Sequence, residues 1–427
     1  MKLTLIRPRY KSIWESLACG YIASYLKKYY HGDLEINFYD GFFDSDKTII
    51  DGSVDSDFTA FSCTSPQIRH ALSLAKAIKE ENPEIYTVFG GHHPSSLEAD
   101  TIANQQVNIV VVGEGETGML EILNDWDKYR KVGKEKEFPR CLVIPSTTIE
   151  DLDSIPFPDR RLIRQDRTLA LTWKNDGERI ASVLSGRGCF TRCVFCTGDR
   201  DVFGTRVRKR SIGNVLDEMS QLVDEWNVEF IKFADAELNS RLSWVQDFCH
   251  EKIRRKLEVP FGCNIHASIM NKATVELMKK AGCREFWIGV ETGSPRILKE
   301  IKKGTTIKQI ENVFKWTKEA GIKRRAYFMV GHEHETRADF DMTLDLASKL
   351  DSDMYGCTIL APFPGTEIYD RYKEKLGLDR VDWSGVDEYS NKIWETPNFS
   401  NEELHELQAE FTEKFRNKLC FRQKRDE

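Results

Sequence analysis

Hydrophobic and polar positions alternate in two ways along the first 145 residues. Short runs rich in β-branched and aromatic residues predict five strands, at 2–6, 34–40, 57–63, 85–90 and 107–113. Apolar residues at helical spacing predict two helices between them, at 15–30 and 68–83. One face of the second helix carries Ile68, Leu72, Ala75 and Ile78. This alternation indicates an α/β fold with a parallel sheet and helices on both faces.

Small and polar residues follow these predicted strands. Ligands of open parallel sheets bind beyond the carboxyl ends of the strands, and glycine there lets a flat ligand approach the backbone. The candidate cofactor-binding residues at three such ends are Ser62, Thr64, Gly90, Gly91, Gly113 and Glu114. The alternative is that these turns need glycine for their own geometry.

The second half of the chain repeats the strand and helix alternation. Residues 146–178, rich in proline and charge, indicate a linker. Six strands are predicted after it, at 181–186, 228–235, 259–265, 285–291, 323–331 and 353–360. A helix is predicted behind an N-cap at Ser211, and Gly282 and Gly321 are predicted to end two others. Six units predict a partial barrel, whose active site lies at the carboxyl ends of its strands.

These patterns divide the chain into four parts. The predicted boundaries are 1–145 for the first domain, 146–178 for the linker, 179–365 for the partial barrel and 366–427 for a helical C-terminal segment. The charged end of the last segment, FRQKRDE, is expected to be solvated.

Composition narrows the function classes. The 427 residues are 40% hydrophobic and 30% charged, as in folded proteins. With 62 basic and 68 acidic residues, a net charge of −6 does not favour a nucleic-acid partner. No apolar run has the length of a signal peptide or of a membrane span. Eleven cysteines without an export signal are expected to be reduced, which predicts a cytoplasmic enzyme.

Three cysteines stand close together directly after the first barrel strand. They are Cys189, Cys193 and Cys196 in RGCFTRCVFC. Thiolates at this density are metal ligands or a redox pair. Three from one loop fit an iron–sulfur cluster with one open iron, whereas structural zinc needs four ligands and would have to recruit Cys63 or Cys141. The other eight cysteines are scattered along the chain, so the sequence predicts no auxiliary iron–sulfur site.

The CxxxCxxC motif behind the first strand of a six-unit barrel resembles the radical S-adenosylmethionine (SAM) enzymes. The resemblance implies a 4Fe-4S cluster held by the three cysteines, with SAM chelating the open iron. It also implies reductive cleavage of SAM to a 5′-deoxyadenosyl radical, fed by an external flavodoxin- or ferredoxin-type reductant. Phe195 stands at the family position for an aromatic residue beside the adenine.

The same resemblance assigns further SAM-binding residues. FADAELN ends the second barrel strand, where the family binds the methionine amino group, so Asp235 and Glu237 are candidates. IGVETGS ends the fourth strand, where Glu291 is expected to reach the ribose and Thr292 or Ser294 the carboxylate. The alternative for the charged residues is ordinary loop solvation.

Two further groups of residues are placed near the site. RVRKRS resembles an arginine-bearing segment of the family, so Arg208 and Arg210 are expected to line the SAM site. The fifth strand ends in MVGHEHET, where related enzymes carry a glycine-leucine-proline loop. His332 and His334 are therefore candidate catalytic residues, with Tyr355 on the sixth strand. The alternatives are a surface loop and barrel core.

FGGHHPSSLEAD, VVVGEGETGMLEIL and the PFPDRRL segment resemble the cobalamin-binding Rossmann domain and linker that precede many radical SAM barrels. The resemblance covers about residues 1 to 370. No histidine occurs in IRPRYKSIWESLACG, so cobalamin is expected to bind without a histidine lower ligand. The same absence is compatible with a domain that has lost its cobalamin.

The resemblance implies a cobalamin-dependent methylase that acts on an unactivated carbon or phosphorus of a small molecule, such as a natural product. The alternative is a non-methylating radical enzyme that performs cyclisation, rearrangement or aminocarboxypropyl transfer. A tRNA methylthiotransferase would need three more ligand cysteines and a basic RNA-binding module. A non-enzymatic zinc or corrinoid carrier is the remaining class. Neither nucleic acid nor membrane is an expected partner.

Overall fold

The computed structural model describes residues 1–134, 139–198, 200–387 and 391–420. The first sheet is parallel and six-stranded, in the order β2-β1-β3-β4-β5-β6. Its strands are β1 (Lys2–Arg7), β2 (Glu35–Asp40), β3 (Phe58–Ser62), β4 (Tyr86–Gly90), β5 (Ile109–Val112) and β6 (Leu142–Pro145). Its helices are α1 (Leu17–Tyr29), α2 (Asp46–Asp51), α3 (Ile68–Glu81), α4 (His92–Ser96), α5 (Glu98–Ile102), α6 (Gly115–Asn124) and α7 (Trp126–Tyr129).

The five strands predicted in this domain are confirmed, and β6 is an addition. It has only four residues between polar segments, too few for a period to show. The buried face of α3 also differs by one position. Leu72 is half-buried, and Ala71 and Leu74 pack in the core instead.

The segment predicted as a linker contains a helix, α8 (Gln165–Asp176). A second parallel sheet follows, in the order β14-β13-β12-β11-β10-β7. Its strands are β7 (Ile180–Val183), β10 (Phe230–Phe233), β11 (Phe261–Ile265), β12 (Cys283–Glu291), β13 (Lys323–Val330) and β14 (Met354–Ile359). The antiparallel pair β8 (Gly186–Arg187) and β9 (Arg208–Lys209) lies beside it. All six predicted barrel strands are therefore present.

Helices connect and flank these strands. They are α9 (Arg200–Phe203), α10 (Ile212–Trp226), α11 (Leu242–Arg254), α12 (Lys272–Lys280), α13 (Pro295–Glu300), α14 (Ile307–Ala320), α15 (Arg337–Leu350), α16 (Glu367–Leu376) and α17 (Asn401–Lys414). Ser211 caps α10 by accepting from the Asn214 N–H, as predicted. Gly282 and Gly321 have φ of +92° and +67°, the left-handed conformation expected at these helix ends. The predicted solvated tail at 421–427 lies outside the described residues.

Side chains, rather than a strand, occupy the outer edge of β7. The Ser182 N–H donates to Glu15 Oε1 at 2.6 Å, and the Ile180 N–H donates to Thr172 Oγ1 at 3.0 Å. The Ser182 carbonyl accepts from Arg160 at 2.7 Å. The partial barrel is thus open between β7 and β14, and a residue of the first domain satisfies part of its edge.

Buried ion pairs connect the two domains. Arg187 in β8 pairs with Glu114 at 2.6 Å and also with Glu116, both from the start of α6. Arg160 pairs with Glu15 at 3.1 Å and with Glu218 of α10 at 2.7 Å. Buried charges of this kind fix relative position because an unpaired charge there would be costly. Over the described residues, no helix combines the length and apolarity needed to cross a membrane.

Candidate active site

The three-cysteine loop follows β8 at the carboxyl end of the barrel strands. Cys189 Sγ lies 3.1 Å and Cys193 Sγ 3.7 Å from the Thr191 hydroxyl oxygen. The loop is anchored at Val194, whose N–H donates to the Ile301 carbonyl at 3.2 Å. The eleven cysteines, all within the described part of the chain, are thiols and form no disulfide. The loop therefore presents three thiols on a fixed backbone, as a three-ligand metal cluster requires.

The zinc alternative is not supported. Cys63 is buried in the first domain with its thiol 3.7 Å from the Gly90 carbonyl oxygen. The Cys141 thiol lies 3.7 Å from the Ile102 carbonyl oxygen in the same domain. Both thiols are therefore directed toward first-domain carbonyls, and neither supplies a fourth ligand to the loop.

A buried ion pair lies beside the cysteine loop. Lys303 Nζ is 2.8 Å from Glu291 Oε1, and the two side chains are 13% and 11% exposed. A β-carbon at Gly289 would collide with the Glu291 carboxylate and lie 2.8 Å from Lys303 Nζ, so this position needs glycine. Burial lowers the pKa of Lys303, but the charges of Glu291, Cys193 and Glu237 outweigh it and hold the pKa above its ordinary value.

Glu237 and Asp235, the two carboxylates predicted to bind the SAM amino group, have different environments. Asp235 accepts from the Ser185 N–H at 2.9 Å and hydroxyl at 2.6 Å, and from Lys209 at 3.0 Å. Glu237 Oε2 is buried with no hydrogen-bond partner among the described residues. Burial raises the pKa of Glu237 to about 7. Glu237 therefore has the carboxylate that can accept from a ligand, while Asp235 supports the loop after β7.

Thr292 and Ser294 do not have free hydroxyls. The Thr292 hydroxyl lies 3.1 Å from that of Thr343, and Ser294 donates to Asp339 at 2.6 Å. Ser294 is also the N-cap of α13, where its oxygen accepts from the Ile297 N–H. Because α13 begins directly after β12, these side chains stabilise the turn, and their binding to the SAM carboxylate stays a prediction.

The two arginines expected to line the SAM site are directed elsewhere. Arg208 pairs with Glu114, and Arg210 donates to the Leu184 carbonyl at 2.8 Å and pairs with Glu218. Glu114 also receives the 2.6 Å bond from Arg187, so its carboxylate belongs to the interdomain ion pairs. Contacts of Arg208 and Arg210 with SAM, and of Glu114 with a cofactor, stay predictions.

His332 lies at the end of β13 and is fully buried. Its ring centroid is 6.2 Å from that of Phe195. Its nitrogens face the backbone oxygens of Glu291 and Met329 without hydrogen-bonding geometry. Burial lowers the pKa of His332 to about 4, so the imidazole is neutral at pH 7.

The other two candidate catalytic residues have partners outside the cysteine loop, and their catalytic role stays a prediction. The His334 side chain is 55% exposed and its Nδ1 lies 2.9 Å from Glu300 on the surface. The Tyr355 hydroxyl donates to the Ala347 carbonyl at 2.9 Å and accepts from the Ser352 N–H at 2.7 Å. Tyr355 therefore packs in the outer helical layer, because the inward positions of β14 are Gly356 and Thr358.

A cavity of about 320 Å³ lies where the two domains meet. From the first domain it is lined by four of the predicted residues, Ser62, Gly90, Gly91 and Gly113, and by His92. From the second domain it is lined by Leu184, Arg187, Phe203 and Ala234. Gly91 has φ of +95°, and a β-carbon there would lie 2.9 Å from the Cys63 carbonyl oxygen. Thr64 does not line the cavity, since its hydroxyl bonds Gln67 at 3.0 Å.

Two family models match the chain. The model of the radical SAM superfamily matches residues 183–347, and that of the B12 binding domain matches residues 4–123. The chain belongs to the radical SAM enzymes with a cobalamin-binding domain. This agrees with the three-cysteine loop of the barrel and the glycine-lined strand ends of the first sheet.

Relatives extend over most of this radical SAM chain. It is 28% identical over 370 residues to an uncharacterized methyltransferase of Pyrococcus horikoshii, which covers 83% of this chain and 77% of that protein. It is 27% identical over 400 residues to the anaerobic magnesium-protoporphyrin IX monomethyl ester cyclase of Rubrivivax gelatinosus, covering 88% and 71%.

Solved structures share the fold of both domains. The radical SAM methyltransferase TsrM from Kitasatospora setae has a TM-score of 0.72 at 17% identity, covering 88% of this chain and 76% of that one. The cobalamin-dependent radical SAM enzyme OxsB has a TM-score of 0.68 at 20% identity, covering 88% and 56%.

Proposed function

We propose that the protein is a cobalamin-dependent radical SAM methylase of a small molecule. The observation that carries this proposal is the shared lining of the interdomain cavity. Gly90, Gly91 and Gly113 face it from the first sheet, and Arg187, two residues before Cys189, faces it from the barrel. A flat corrin at the glycine-lined strand ends would therefore lie next to the cysteine loop.

The residues fit the groups that the proposal requires. When bound, the iron–sulfur cluster with SAM supplies a carbon-centred radical, and cobalamin supplies the methyl group. The three thiols of the cysteine loop hold the cluster and leave one position open. The glycines at the first-sheet strand ends let a planar macrocycle approach the backbone.

The side chains around the loop have complementary roles toward SAM. Glu237, with its unpartnered oxygen, binds the ammonium group. Lys303 binds the carboxylate and Glu291 balances its charge in the absence of ligand. Phe195 and neutral His332 contact the adenine. Burial of these groups excludes water from the reacting atoms.

Arg187 positions the loop relative to the first domain through its buried pairs with Glu114 and Glu116. A misplacement of about 1 Å between reacting groups costs about a hundredfold in rate. The proposed electron donor is a flavodoxin- or ferredoxin-type protein, since the cluster must be reduced from outside.

The test uses the full chain, purified and reconstituted anaerobically with iron, sulfide and hydroxocobalamin. We expect about four irons and one corrin per chain, the usual content of one cubane cluster and one cofactor. With chemical reductant and methyl-labelled SAM, we expect 5′-deoxyadenosine, S-adenosylhomocysteine and methyl label recovered with the corrin.

The matched control replaces Cys189, Cys193 and Cys196 together by alanine. This variant is expected to lose iron and 5′-deoxyadenosine formation while it keeps the corrin, because the first domain is unchanged. Wild-type protein that cleaves SAM but binds no corrin and forms no S-adenosylhomocysteine would contradict the methylase. That outcome would instead favour non-methylating chemistry, in keeping with the similarity to the cyclase of Rubrivivax gelatinosus.

A further inference from the structure

His266 lies directly after β11, and its backbone is held by a buried amide. The His266 N–H donates to Asn239 Oδ1 at 2.8 Å, and the Asn239 side-chain amide donates to the His266 carbonyl at 2.9 Å. Asn239, which follows β10, is fully buried, and His266 is 2% exposed. A buried amide with both hydrogen bonds satisfied makes its surroundings rigid. The backbone that carries the imidazole therefore has a fixed position.

The hydrogen-bond partners of the imidazole assign its proton. Nε2 lies 2.9 Å from the Lys303 carbonyl oxygen, which can only accept, so Nε2 carries the proton and donates. Nδ1 accepts from Ser268, whose hydroxyl oxygen is 2.7 Å away. Burial, together with the Lys303 charge, lowers the pKa of His266 to about 4, so the ring is neutral at pH 7. Both nitrogens have partners, and the orientation of the ring is fixed.

The backbone of Lys303 is held on two sides. Its N–H donates to the Leu298 carbonyl of α13 at 3.3 Å, and its carbonyl accepts from His266. Two residues earlier, the Ile301 carbonyl accepts from the Val194 N–H of the cysteine loop at 3.2 Å. The segment 301–303 therefore connects His266 to the cysteine loop.

The cysteine loop also contacts His266 directly. The ring centroid of Phe190, the residue after Cys189, lies 5.3 Å from that of His266, and the two ring planes are at 73°. This edge-to-face arrangement is favourable for aromatic rings. His266 therefore contacts the loop at Phe190 and, through Lys303, the segment that anchors the loop at Val194.

The two groups proposed to bind the aminocarboxylate arm of SAM lie on either side of this imidazole. Lys303, proposed to bind the carboxylate, accepts the Nε2 proton of His266 at its carbonyl. Glu237, proposed to bind the ammonium group, has its Oε1 3.9 Å from the same Nε2. Glu237 follows β10 and Lys303 follows α13, so the distance between them depends on tertiary contacts. His266 is close to both.

We propose that His266 is a positioning residue, which sets the distance between the groups that bind the carboxylate and the ammonium of SAM and aligns them with the cysteine loop. The inference rests on the proposed radical SAM function. His266 acts through the Lys303 carbonyl and through Phe190, and it is not itself a catalytic residue. Binding of the aminocarboxylate arm therefore depends on His266, whereas binding of the adenine at Phe195 and His332 does not.

The test measures equilibrium binding of three ligands to the anaerobic, reconstituted full-length protein without reductant. SAM has both the adenosine and the aminocarboxylate arm. S-adenosylhomocysteine keeps the arm but lacks the methyl group and the charge on sulfur, and 5′-methylthioadenosine keeps the adenosine and the sulfur but lacks the arm. We expect the wild type to bind SAM and S-adenosylhomocysteine more tightly than 5′-methylthioadenosine.

Two variants of His266 and a surface control separate the roles. His266→Leu keeps an apolar side chain but lacks the Nε2 proton, and it is expected to weaken SAM and S-adenosylhomocysteine about tenfold, the worth of one hydrogen bond, with 5′-methylthioadenosine unchanged. His266→Gln, whose amide can donate to the Lys303 carbonyl, is expected to regain most of the lost affinity. His250→Leu, at an exposed position of α11, is expected to change nothing. Iron content is expected to match the wild type in every variant, because the three thiols are unchanged.

Unchanged SAM affinity in His266→Leu would overturn the inference. Equal weakening of all three ligands, or loss of iron together with SAM, would also overturn it, because His266 would then support the fold of the loop as a whole. Formation of 5′-deoxyadenosine by the wild type with reductant distinguishes the two proposals. With SAM cleavage in the wild type, each of these results removes only the role of His266 and leaves the radical function standing. A wild type that neither binds nor cleaves SAM removes the proposed function, and the role of His266 with it.

Discussion

Replacement of Lys303 by methionine tests the buried ion pair beside the cysteine loop. The substitution keeps the apolar stem and leaves the Glu291 carboxylate, only 11% exposed, without the cation now 2.8 Å away. Removing one partner of a buried ion pair costs about 3–5 kcal/mol of unfolding free energy. Because Glu291 keeps some exposure, we expect a loss of about 3 kcal/mol. SAM affinity is expected to fall about tenfold to a hundredfold, the worth of one charged hydrogen bond.

The assay is a double-mutant cycle that compares the wild type, Lys303→Met, Glu291→Gln and the double variant. The free energy of unfolding is measured with urea at pH 7, and SAM affinity is measured by equilibrium binding. Each single variant is expected to lose about 3 kcal/mol of unfolding free energy, and the double variant no more than either, a coupling of about 3 kcal/mol. Lys302→Met is the matched control. The Lys302 side chain is next to Lys303 in sequence, is 49% exposed and pairs with Glu367 on the surface. Its loss is expected to stay below about 1 kcal/mol, with SAM affinity unchanged.

Two results would refute this reasoning. If Lys303→Met and Lys302→Met lost the same stability, burial of the pair would not determine its contribution. If Lys303→Met bound SAM as tightly as the wild type, Lys303 would not contact the carboxylate.

Three more variants test other parts of the structure. Arg187→Met leaves Glu116 without its buried cation and Glu114 with Arg208 alone, and it should lower the free energy of unfolding by about 3–5 kcal/mol in urea titrations. Arg164→Met, at an exposed pair, should lose under about 1 kcal/mol, and equal losses would contradict the buried contact. Burial lowers the pKa of His332 to about 4, so the imidazole is neutral in the folded protein. As the pH falls below about 6.5, the unfolded state gains a proton that the folded state does not, and the free energy of unfolding decreases. In urea titrations, His332→Leu should remove about 2 kcal/mol of the decrease between pH 7 and pH 5, and an unchanged pH dependence would show that His332 is not buried as a neutral side chain. Cys193→Ser should abolish stoichiometric iron binding while Cys141→Ser keeps it, measured by iron analysis after reconstitution; iron loss in both would reopen the zinc-type ligand set.

The local features of the chain were predictable because they depend on near neighbours in sequence. Strand positions, the Ser211 cap and the place of the cysteine loop behind the first barrel strand follow from residue type and spacing. The β6 strand and the α8 helix were not predicted, since each is short or lies in a segment dominated by proline and charge.

Side-chain partners across the domain interface were not predictable in this way. Glu114 and Arg208 carry the charges expected of ligand-binding residues, yet each finds the other through packing of two domains. Lys303 was missed because a lysine in KKGTT has no local signal, and its role depends on Glu291 and on the space at Gly289. The position of Tyr355 on the sixth barrel strand predicts a catalytic role, whereas the alternation along β14 directs its side chain toward the outer helices.

The side chains along the outer edge of β7 have a consequence for how the two domains depend on each other. An edge strand with free N–H and carbonyl groups pairs readily with strands of other chains. Here a carboxylate of the first domain, Glu15, accepts a hydrogen bond from the Ser182 N–H. Trp14 beside it packs against the barrel cluster of Ile180, Phe230 and Trp287. Side chains of the first domain thus cover the β7 edge that a further strand would cover in a closed barrel. Cobalamin binding and coverage of the β7 edge are therefore both carried by the first domain, and its loss would remove the cofactor site and leave the Ser182 N–H of that edge without its partner.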